Sequence, residues 1–181
     1  VFYDGFNRPD GTDLGADWVE VKGDWDIRDG QLHVRTGGGP EEVVTGRTFT
    51  ETHFTIETRV RGLGQGTKPP DRYELFFGAG VRGQRGYSAV YEPREQRLSL
   101  VRGNRQLGAV SIGLAPDAWY GLRVMRDGET GLIRVYLDHG NGYGADPILE
   151  VSDATYPALG RVGWLARSRG YDFYVDWMLV R

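Results

Sequence analysis

Seven side chains of this sequence could bind a ligand that is rich in hydroxyl groups. They combine ionic groups with aromatic rings on predicted strands: Glu57, Arg59, Glu74, Tyr87, Tyr91, Arg123 and Arg134. The five charged residues alternate with apolar ones, which places them outside the core of a strand that is buried on one face. Carboxylates and guanidinium groups bind pairs of sugar hydroxyls, and an aromatic ring packs against the C–H face of a sugar. The alternative for each residue is an ordinary position on a solvated sheet face.

Hydrolysis of a sugar bond would need two carboxylates, about 5–5.5 Å apart in a retaining enzyme and farther apart in an inverting one. The nearest acids on predicted exposed faces are Glu57 and Glu74, which lie on different predicted strands. Solvated or ion-paired carboxylates are the common alternative at such positions. The sequence therefore identifies no catalytic residue and leaves a sugar-active enzyme open.

The segment from Asp24 to Gly30 is similar in spacing to a calcium-binding loop. Its fifth position is Arg28, where such a loop needs an oxygen ligand, and Arg35 occupies the place of the bidentate glutamate. A strand followed by a hairpin turn at Asp29-Gly30 accounts for these residues instead. The three histidines are scattered and show no metal-ligand spacing: His33, His53 and His139.

Composition limits the classes of partner. A formal charge of −3 and a pI near 5.6 argue against nucleic acid, which requires a basic face. No stretch approaches the roughly 20 apolar residues of a membrane span, so no membrane insertion is expected. The absence of cysteine excludes disulfides and thiolate ligands. The sequence begins at Val1 without a signal-like segment, as either a trimmed chain or a mature secreted protein would.

The clearest predicted element is a β-hairpin from Trp119 to Asp138. Apolar residues occupy every second position of both runs: Tyr120, Leu122, Val124, Ile133, Val135 and Leu137. Asp127-Gly128 begins the connecting turn, and this residue pair supplies the positive φ angles of a tight hairpin. The pattern predicts that the six apolar side chains are buried and that Arg123, Arg126 and Arg134 lie on the opposite face.

The rest of the sequence is predicted to form further short strands with turns every ten or so residues, which is typical of an antiparallel sandwich or barrel. Interruptions are predicted at Gly37 to Pro40, in a polar loop from Gly62 to Arg72, and at the turn Gly83-Gln84-Arg85-Gly86. The first and last strands are expected to be neighbours. Trp18 and Trp119, at strand starts, could be core or surface residues. Three tryptophans are in phase with apolar residues and are predicted to lie in the core: Trp25, Trp164 and Trp177.

Six phrases, in this order, resemble the concanavalin A-like lectin/glucanase superfamily, and within it the laminin G-like and bacterial carbohydrate-binding modules of the levan-binding type. The phrases are Asp4-Gly5-Phe6, Gly23 to Leu32, Gly86 to Tyr91, Trp119 to Val124, Gly160 to Trp164 and Val175 to Val180. A more distant resemblance is to the 3-keto-disaccharide hydrolase type. The resemblance implies an all-β fold, in which residues 1–181 form a single jelly-roll sandwich of two antiparallel sheets.

The same resemblance implies a non-catalytic, lectin-like module that binds a polysaccharide or oligosaccharide. Two alternatives stay open because this fold hosts several activities: a glycoside hydrolase or related sugar-active enzyme, and a structural or adhesion module that binds protein. The glucanase branch carries Glu-x-Asp-x-x-Glu on one strand, and this sequence has no such segment. The resemblance also implies a monomer or a module of a larger protein, in an extracellular or periplasmic place.

Related sandwiches tie their termini together with a structural calcium ion, and Asp4 and Asp176 are the residues here that match that position. Calcium takes about six to eight oxygen ligands, which two carboxylates, backbone carbonyls and water could supply. Asp176 is predicted to lie on the outer face of the last strand. The core residues of that strand are predicted to be Val175, Trp177 and Leu179. The alternative is that Asp176 pairs with an arginine.

Overall fold

The computed structural model describes residues 1–79 and 86–181, and every regular element in these two ranges is a β-strand. The strands are β1 (Phe2–Asp4), β2 (Trp18–Lys22), β3 (Trp25–Arg28), β4 (Gln31–Thr45), β5 (Phe54–Arg61), β6 (Arg72–Ala79), β7 (Tyr87–Glu92), β8 (Arg97–Arg102), β9 (Arg105–Ser111), β10 (Trp119–Arg126), β11 (Leu132–Asp138), β12 (Leu149–Ser152) and β13 (Arg161–Val180). The turn predicted at Gly83-Gln84-Arg85-Gly86 lies outside the described residues, apart from Gly86. Within the described ranges, no helix has the length and apolar character needed to cross a membrane.

The long strands β4 and β13 pass from one layer of the molecule to the other. They pair along most of their length, and the register shifts between Arg167 and Asp172. The part of β13 before this shift pairs with β6, and the part after it pairs with β5. The interruption predicted at Gly37 to Pro40 is wrong, because these residues continue β4. Gly38 takes a φ of 102° there, a conformation that glycine adopts without strain, so the strand continues through an irregular ladder.

Two antiparallel sheets result from this arrangement. Sheet I contains β1, β3, the first part of β4, β5, β10, β11, β12 and the last part of β13. Sheet II contains β2, the second part of β4, the first part of β13, and β6 to β9. The predicted all-β antiparallel sandwich is therefore confirmed. The first and last strands are neighbours, as expected, since Phe2 pairs with Val180.

The core lies between the two sheets and is rich in aromatic rings. Phe54 of sheet I packs on Phe77 of sheet II with ring centroids 5.8 Å apart in an edge-to-face arrangement. The buried tryptophans are Trp18, Trp25 and Trp164. Trp25 and Trp164 were predicted to lie in the core, and Trp18, which could have been a core or a surface residue, is also buried there. Trp119, at the start of β10, is only partly buried and borders the outer face of sheet I.

The hairpin formed by β10 and β11 has the predicted register. Val124 faces Val135 across the strand pair, and all six predicted apolar side chains are buried. Arg126 is the exception, because it shares its face with Val124 and points inward. Its side chain is 4% exposed, and the guanidinium lies 5.3 Å from the ring centroid of Tyr87. The prediction of Arg126 on the wet face is therefore wrong, since an even spacing from Val124 keeps a residue on the same side of the strand.

A β-bulge in β13 reverses the predicted faces near the end of the strand. The register against β5 shifts between Val175 and Trp177. The core residues after the shift are Met178 and Val180, whereas Trp177 is only partly buried. The prediction of Trp177 and Leu179 as core residues is wrong, because one extra residue in a strand moves every later side chain to the other face.

Candidate functional site

The structure distributes the seven predicted ligand-binding residues over three separate places. Four of them lie on the outer face of sheet I: Glu57, Arg59, Arg123 and Arg134. Glu74, on β6, lies on the outer face of sheet II. Tyr87 and Tyr91, on β7, point into the core. No single site can therefore include all seven.

Tyr87 and Tyr91 are structural residues, and their assignment as sugar-stacking rings is wrong. Each is 1% exposed. The Tyr87 hydroxyl donates to Asp153 Oδ1 at 2.7 Å, and the Tyr91 hydroxyl donates to the Ile112 carbonyl at 3.0 Å. Burial raises the pKa of both phenols. Residues 87, 89 and 91 face inward together, because side chains on a strand alternate between its two faces.

The outer face of sheet II contains a groove of about 550 Å³ across strands β6 to β9. Its polar lining consists of Arg72, Glu74, Ser88, Glu92, Arg97, Ser99, Asn104 and Gln106. Val90 and Val101 add two small apolar surfaces. Aromatic rings are absent from the lining residues that the structure describes. The groove therefore offers mainly charged groups, hydroxyls and amides to a ligand.

Two arginine–carboxylate pairs lie within this groove. Arg72 Nε is 2.8 Å from Glu74 Oε1, and Glu74 is only 4% exposed. Arg97 donates from Nε and Nη2 to Glu92 Oε2, at 3.0 and 2.6 Å. Glu74 faces Val90 across β6 and β7, so Glu92 is its diagonal neighbour on the same face. Such pairs are held by rigid strands and present donors and acceptors side by side.

The predicted charged residues of sheet I are already paired with one another or with new partners. Arg123 Nη2 lies 3.3 Å from Glu57 Oε2, and its guanidinium stacks 3.9 Å from the ring centroid of Tyr143. Glu57 also accepts a hydrogen bond from Arg181 at 2.8 Å. Tyr143 comes from the glycine-rich loop after β11, and burial, followed by the charge of Glu57, raises its pKa. Sequence reasoning missed this tyrosine, since nothing in its own loop indicates that it covers β10.

Sheet I also carries a stack of cations and rings, the arginine–aromatic ladder, made of Arg59, Trp119, Arg61, Tyr174 and His33. The guanidinium groups of Arg59 and Arg61 lie 5.0 and 5.1 Å from the Trp119 ring centroid. Arg61 is also 4.3 Å from the ring centroid of Tyr174, which packs on His33 at 4.7 Å. Cross-strand register produces this order, because Trp119 faces Arg61 and Arg61 faces Tyr174.

Glu57 and Glu74 cannot act as the two carboxylates of a glycosidase. Glu57 lies on the outer face of sheet I and Glu74 on the outer face of sheet II, with the core between them. A sugar bond must lie between both catalytic carboxylates at once. The hypothesis of this pair is therefore wrong, and the structure instead brings Glu74 and Glu92 together in one groove.

Asp4 and Asp176 do not fit the predicted calcium site, since both carboxylates already have protein partners. Asp4 accepts hydrogen bonds from the backbone N–H of Phe6 and from Trp18 Nε1, each at 2.7 Å, and it forms an ion pair with Arg8. Asp176 accepts a hydrogen bond from Arg59 at 3.0 Å, which is the arginine pairing considered as the alternative. Across residues 1–79 and 86–181, no group of three or more histidines and acids is placed to hold a metal ion.

No protein-family model and no curated protein matches this chain. Among solved structures, the carbohydrate-binding module CBM66 from Bacillus subtilis has a TM-score of 0.69 and 13% identity, over 88% of this chain and 91% of that one. The exoplasmic/lumenal domain of VIP36, in its Ca2+/Man3GlcNAc-bound form, has a TM-score of 0.72 and 10% identity, over 91% and 82%. A glycosyl hydrolase family protein from Mycobacterium fortuitum has a TM-score of 0.66 and 15% identity, over 100% and 99%. This chain therefore has the concanavalin A-like lectin/glucanase fold.

Proposed function

We propose that this chain is a non-catalytic carbohydrate-binding module that holds a glycan in the groove of sheet II. The observation that carries the proposal is the presence of two arginine–carboxylate pairs, Arg72 with Glu74 and Arg97 with Glu92, in one groove. A carboxylate accepts hydrogen bonds from sugar hydroxyls, and a guanidinium donates to them. The similarity in fold to CBM66 and to the glycan-bound VIP36 domain supports a binding role.

The groove has the properties that a polar, weakly bound ligand requires. Its volume of about 550 Å³ lies within the roughly 300–1,000 Å³ that is usual for small-molecule sites. Glu74 is nearly buried, so its interaction with a ligand would be little screened by water. Because its described lining has no ring to pack on a sugar face, the groove favours recognition through hydroxyl groups.

Glutamine substitution of the groove carboxylates tests this proposal. A glycan array with the purified domain identifies the ligand, and calorimetry then measures its affinity for Glu74→Gln and Glu92→Gln. We expect each variant to bind at least about tenfold more weakly, since one hydrogen bond to a charged group contributes about 1.5–3 kcal/mol. Two variants are used so that a folding defect in one does not decide the result, and circular dichroism checks both.

Glu150→Gln is the matched control for these variants. Glu150 is an exposed carboxylate that pairs with Arg134 at 2.6 Å on sheet I, and it is not among the residues that line the groove. It should bind the glycan like the wild type. Wild-type affinity in both Glu74→Gln and Glu92→Gln would remove the glycan from the groove.

A second candidate is a glycoside hydrolase that uses the same groove. Glu74 and Glu92 are diagonal neighbours, about 7–8 Å apart at the backbone, and inverting glycosidases separate their carboxylates by about 6.5–9.5 Å. The similarity to a Mycobacterium fortuitum glycosyl hydrolase family protein is in line with this reading. Against it, both carboxylates are paired with an arginine, whereas one must serve as a proton donor. Release of reducing sugar that disappears in both glutamine variants would favour the enzyme.

The outer face of sheet I is a competing location for the glycan, because it carries Arg59, Arg123 and Arg134. We infer that it is the weaker location for a neutral sugar, because its pairs lie apart, Arg59 with Asp176 on β5 and β13 and Arg134 with Glu150 on β11 and β12, whereas both pairs of sheet II line one groove. We further propose that glycan binding needs no calcium, because the carboxylates of Asp4 and Asp176 already form ion pairs with Arg8 and Arg59.

A polysaccharide ligand fits an extracellular or periplasmic location for this protein, which fractionation of the native host would test.

A further inference from the structure

We propose a second binding site on the arginine–aromatic ladder of sheet I, which takes the carboxylate groups of an acidic glycan. The central residue is Arg61, whose guanidinium lies between Trp119 at 5.1 Å and Tyr174 at 4.3 Å. A guanidinium that stacks on rings keeps its N–H groups at the free edge. This edge has the planar, two-pronged geometry that matches a carboxylate.

Arg61 lacks the carboxylate partner that the neighbouring arginines Arg28, Arg35 and Arg59 have. Each aspartate around it is already paired with another arginine: Asp26 with Arg28, Asp172 with Arg35, and Asp176 with Arg59. In the part of the chain that the structure describes, the Arg61 side chain has no carboxylate within 4 Å and makes no hydrogen bond. Its positive charge is therefore not neutralised by the described residues, and an acidic ligand could supply the missing partner.

The ladder is fixed before any ligand arrives. Tyr174 packs on His33, and both ring nitrogens of His33 contact carboxylates, Asp26 at 2.6 Å and Asp172 at 2.9 Å. These contacts hold Tyr174, which in turn limits the rotamers of Arg61. A side chain that is already ordered loses less conformational entropy on binding, so the site is preorganised.

Arg59 adds a second cation to this site. It lies two residues before Arg61 on the same face of β5, about 7 Å away along the strand, and its guanidinium is 5.0 Å from the same Trp119 ring. One of its nitrogens contacts Asp176, which leaves further N–H donors on the guanidinium. Two cations beside one ring favour a chain with repeated acidic groups over a single small anion.

The site on the arginine–aromatic ladder and the groove of sheet II differ in the ligand that each selects. Arginine–carboxylate pairs in the groove suit neutral hydroxyl groups, whereas Arg61 without such a pair selects negative charge. The choice of a glycan over an acidic peptide rests on the proposed carbohydrate-binding function. The two sites lie on opposite outer faces of the sandwich, so their variants can be measured independently.

Oligogalacturonate of four to six units serves as the probe, and its fully methyl-esterified form serves as the neutral comparison. Calorimetry at low ionic strength should show binding of the acid and at least tenfold weaker binding of the ester. Arg61→Gln should weaken binding of the acid at least tenfold. Arg61→Lys keeps the charge but removes the planar fork, so its affinity should lie between those of Arg61→Gln and the wild type.

Arg134→Gln is the matched control, because Arg134 lies on the same outer face of sheet I, is already paired with Glu150, and stands on β11, two strands away from Arg61. It should bind oligogalacturonate like the wild type, and so should the groove variant Glu74→Gln. No binding of the acid, equal binding of acid and ester, or wild-type affinity in Arg61→Gln would overturn the proposal. A poly-glutamate peptide that binds as tightly, with the same loss in Arg61→Gln, would overturn the glycan assignment. Loss of neutral-glycan binding in Glu74→Gln concerns only the groove, so the two proposals can fail separately.

Discussion

The hydroxyl of Tyr87 donates a hydrogen bond to Asp153 Oδ1 at 2.7 Å, and the same hydroxyl accepts one from the backbone N–H of Tyr156 at 3.1 Å. These two hydrogen bonds connect β7 to the loop that precedes β13. A tyrosine that the sequence presents as a ligand contact thus connects two distant parts of the fold. Its effect on stability and its effect on binding can be separated by experiment.

Tyr87→Phe should destabilise the domain by about 1–3 kcal/mol without changing its affinity for glycan. The substitution leaves the ring in the core but removes one of the hydrogen-bond donors to the Asp153 carboxylate and the acceptor for the Tyr156 N–H. Urea unfolding measures the stability, and calorimetry with the array-selected glycan measures the affinity. A large loss of affinity in a folded Tyr87→Phe protein would contradict the assignment of Tyr87 to the core.

Asp153 should make the fold sensitive to acid. Burial by itself would raise the pKa of this carboxyl, but hydrogen bonds from Thr155, Tyr87 and Arg102 lower it well below its ordinary value. A lowered pKa in the folded state stabilises the protein above the unfolded pKa of about 3.9, and this stabilisation is lost progressively as the pH falls from that value through the lower pKa of the folded state. We expect the stability difference between wild type and Asp153→Asn to be smaller at pH 3 than at pH 7. Urea unfolding at both pH values measures it, and a difference that does not change with pH would count against this role.

The bulge in β13 can be tested with two adjacent alanine substitutions. Met178 is fully buried after the bulge, and Leu179 lies on the opposite, half-buried face. Met178→Ala should cost about 2–5 kcal/mol, as large-to-small changes in a core do, and Leu179→Ala should cost clearly less. Chemical unfolding of both variants provides the comparison. A larger loss of stability in Leu179→Ala than in Met178→Ala would contradict the bulge, because it would indicate the regular alternation in which Leu179 is the core residue.

Calcium should leave the melting temperature unchanged. A metal that binds only the native state raises stability by mass action, but Asp4 and Asp176 are already engaged by Arg8 and Arg59. Thermal melts in excess calcium and in a chelator measure this directly. An increase of the melting temperature in calcium that the chelator reverses would show that a cation displaces one of these arginines.

Arg123→Ala and Arg134→Ala distinguish the two faces of the sandwich as locations for the neutral glycan. Both residues lie on the outer face of sheet I, where Arg123 contacts Glu57 and Arg134 contacts Glu150. If the glycan lies in the groove of sheet II, both variants should bind it with wild-type affinity. Weaker binding in either folded variant, measured by calorimetry, would place the neutral glycan on sheet I instead.

The sequence by itself determined the features that depend on local alternation. The hairpin of β10 and β11 was predictable because its apolar residues alternate without interruption from Tyr120 to Val124 and from Ile133 to Leu137. Its turn residues also restrict the backbone locally. The all-β class and the core tryptophans Trp25 and Trp164 followed from the same kind of pattern.

Only the tertiary structure decided which side chains meet. The strand β7 reads Tyr87-Ser88-Ala89-Val90-Tyr91, and either face of such a strand could be the buried one, because both carry apolar residues. The bulge at Val175 and Trp177 has no sequence signal of its own, yet it reverses the faces that follow. Glu57 and Glu74 look equivalent along the chain, but the crossing of β4 and β13 between the layers puts them on opposite outer faces. A side chain's neighbours across a sheet come from distant segments, so packing of the two layers, rather than local pattern, brings Glu74 beside Glu92 and Arg61 between two rings.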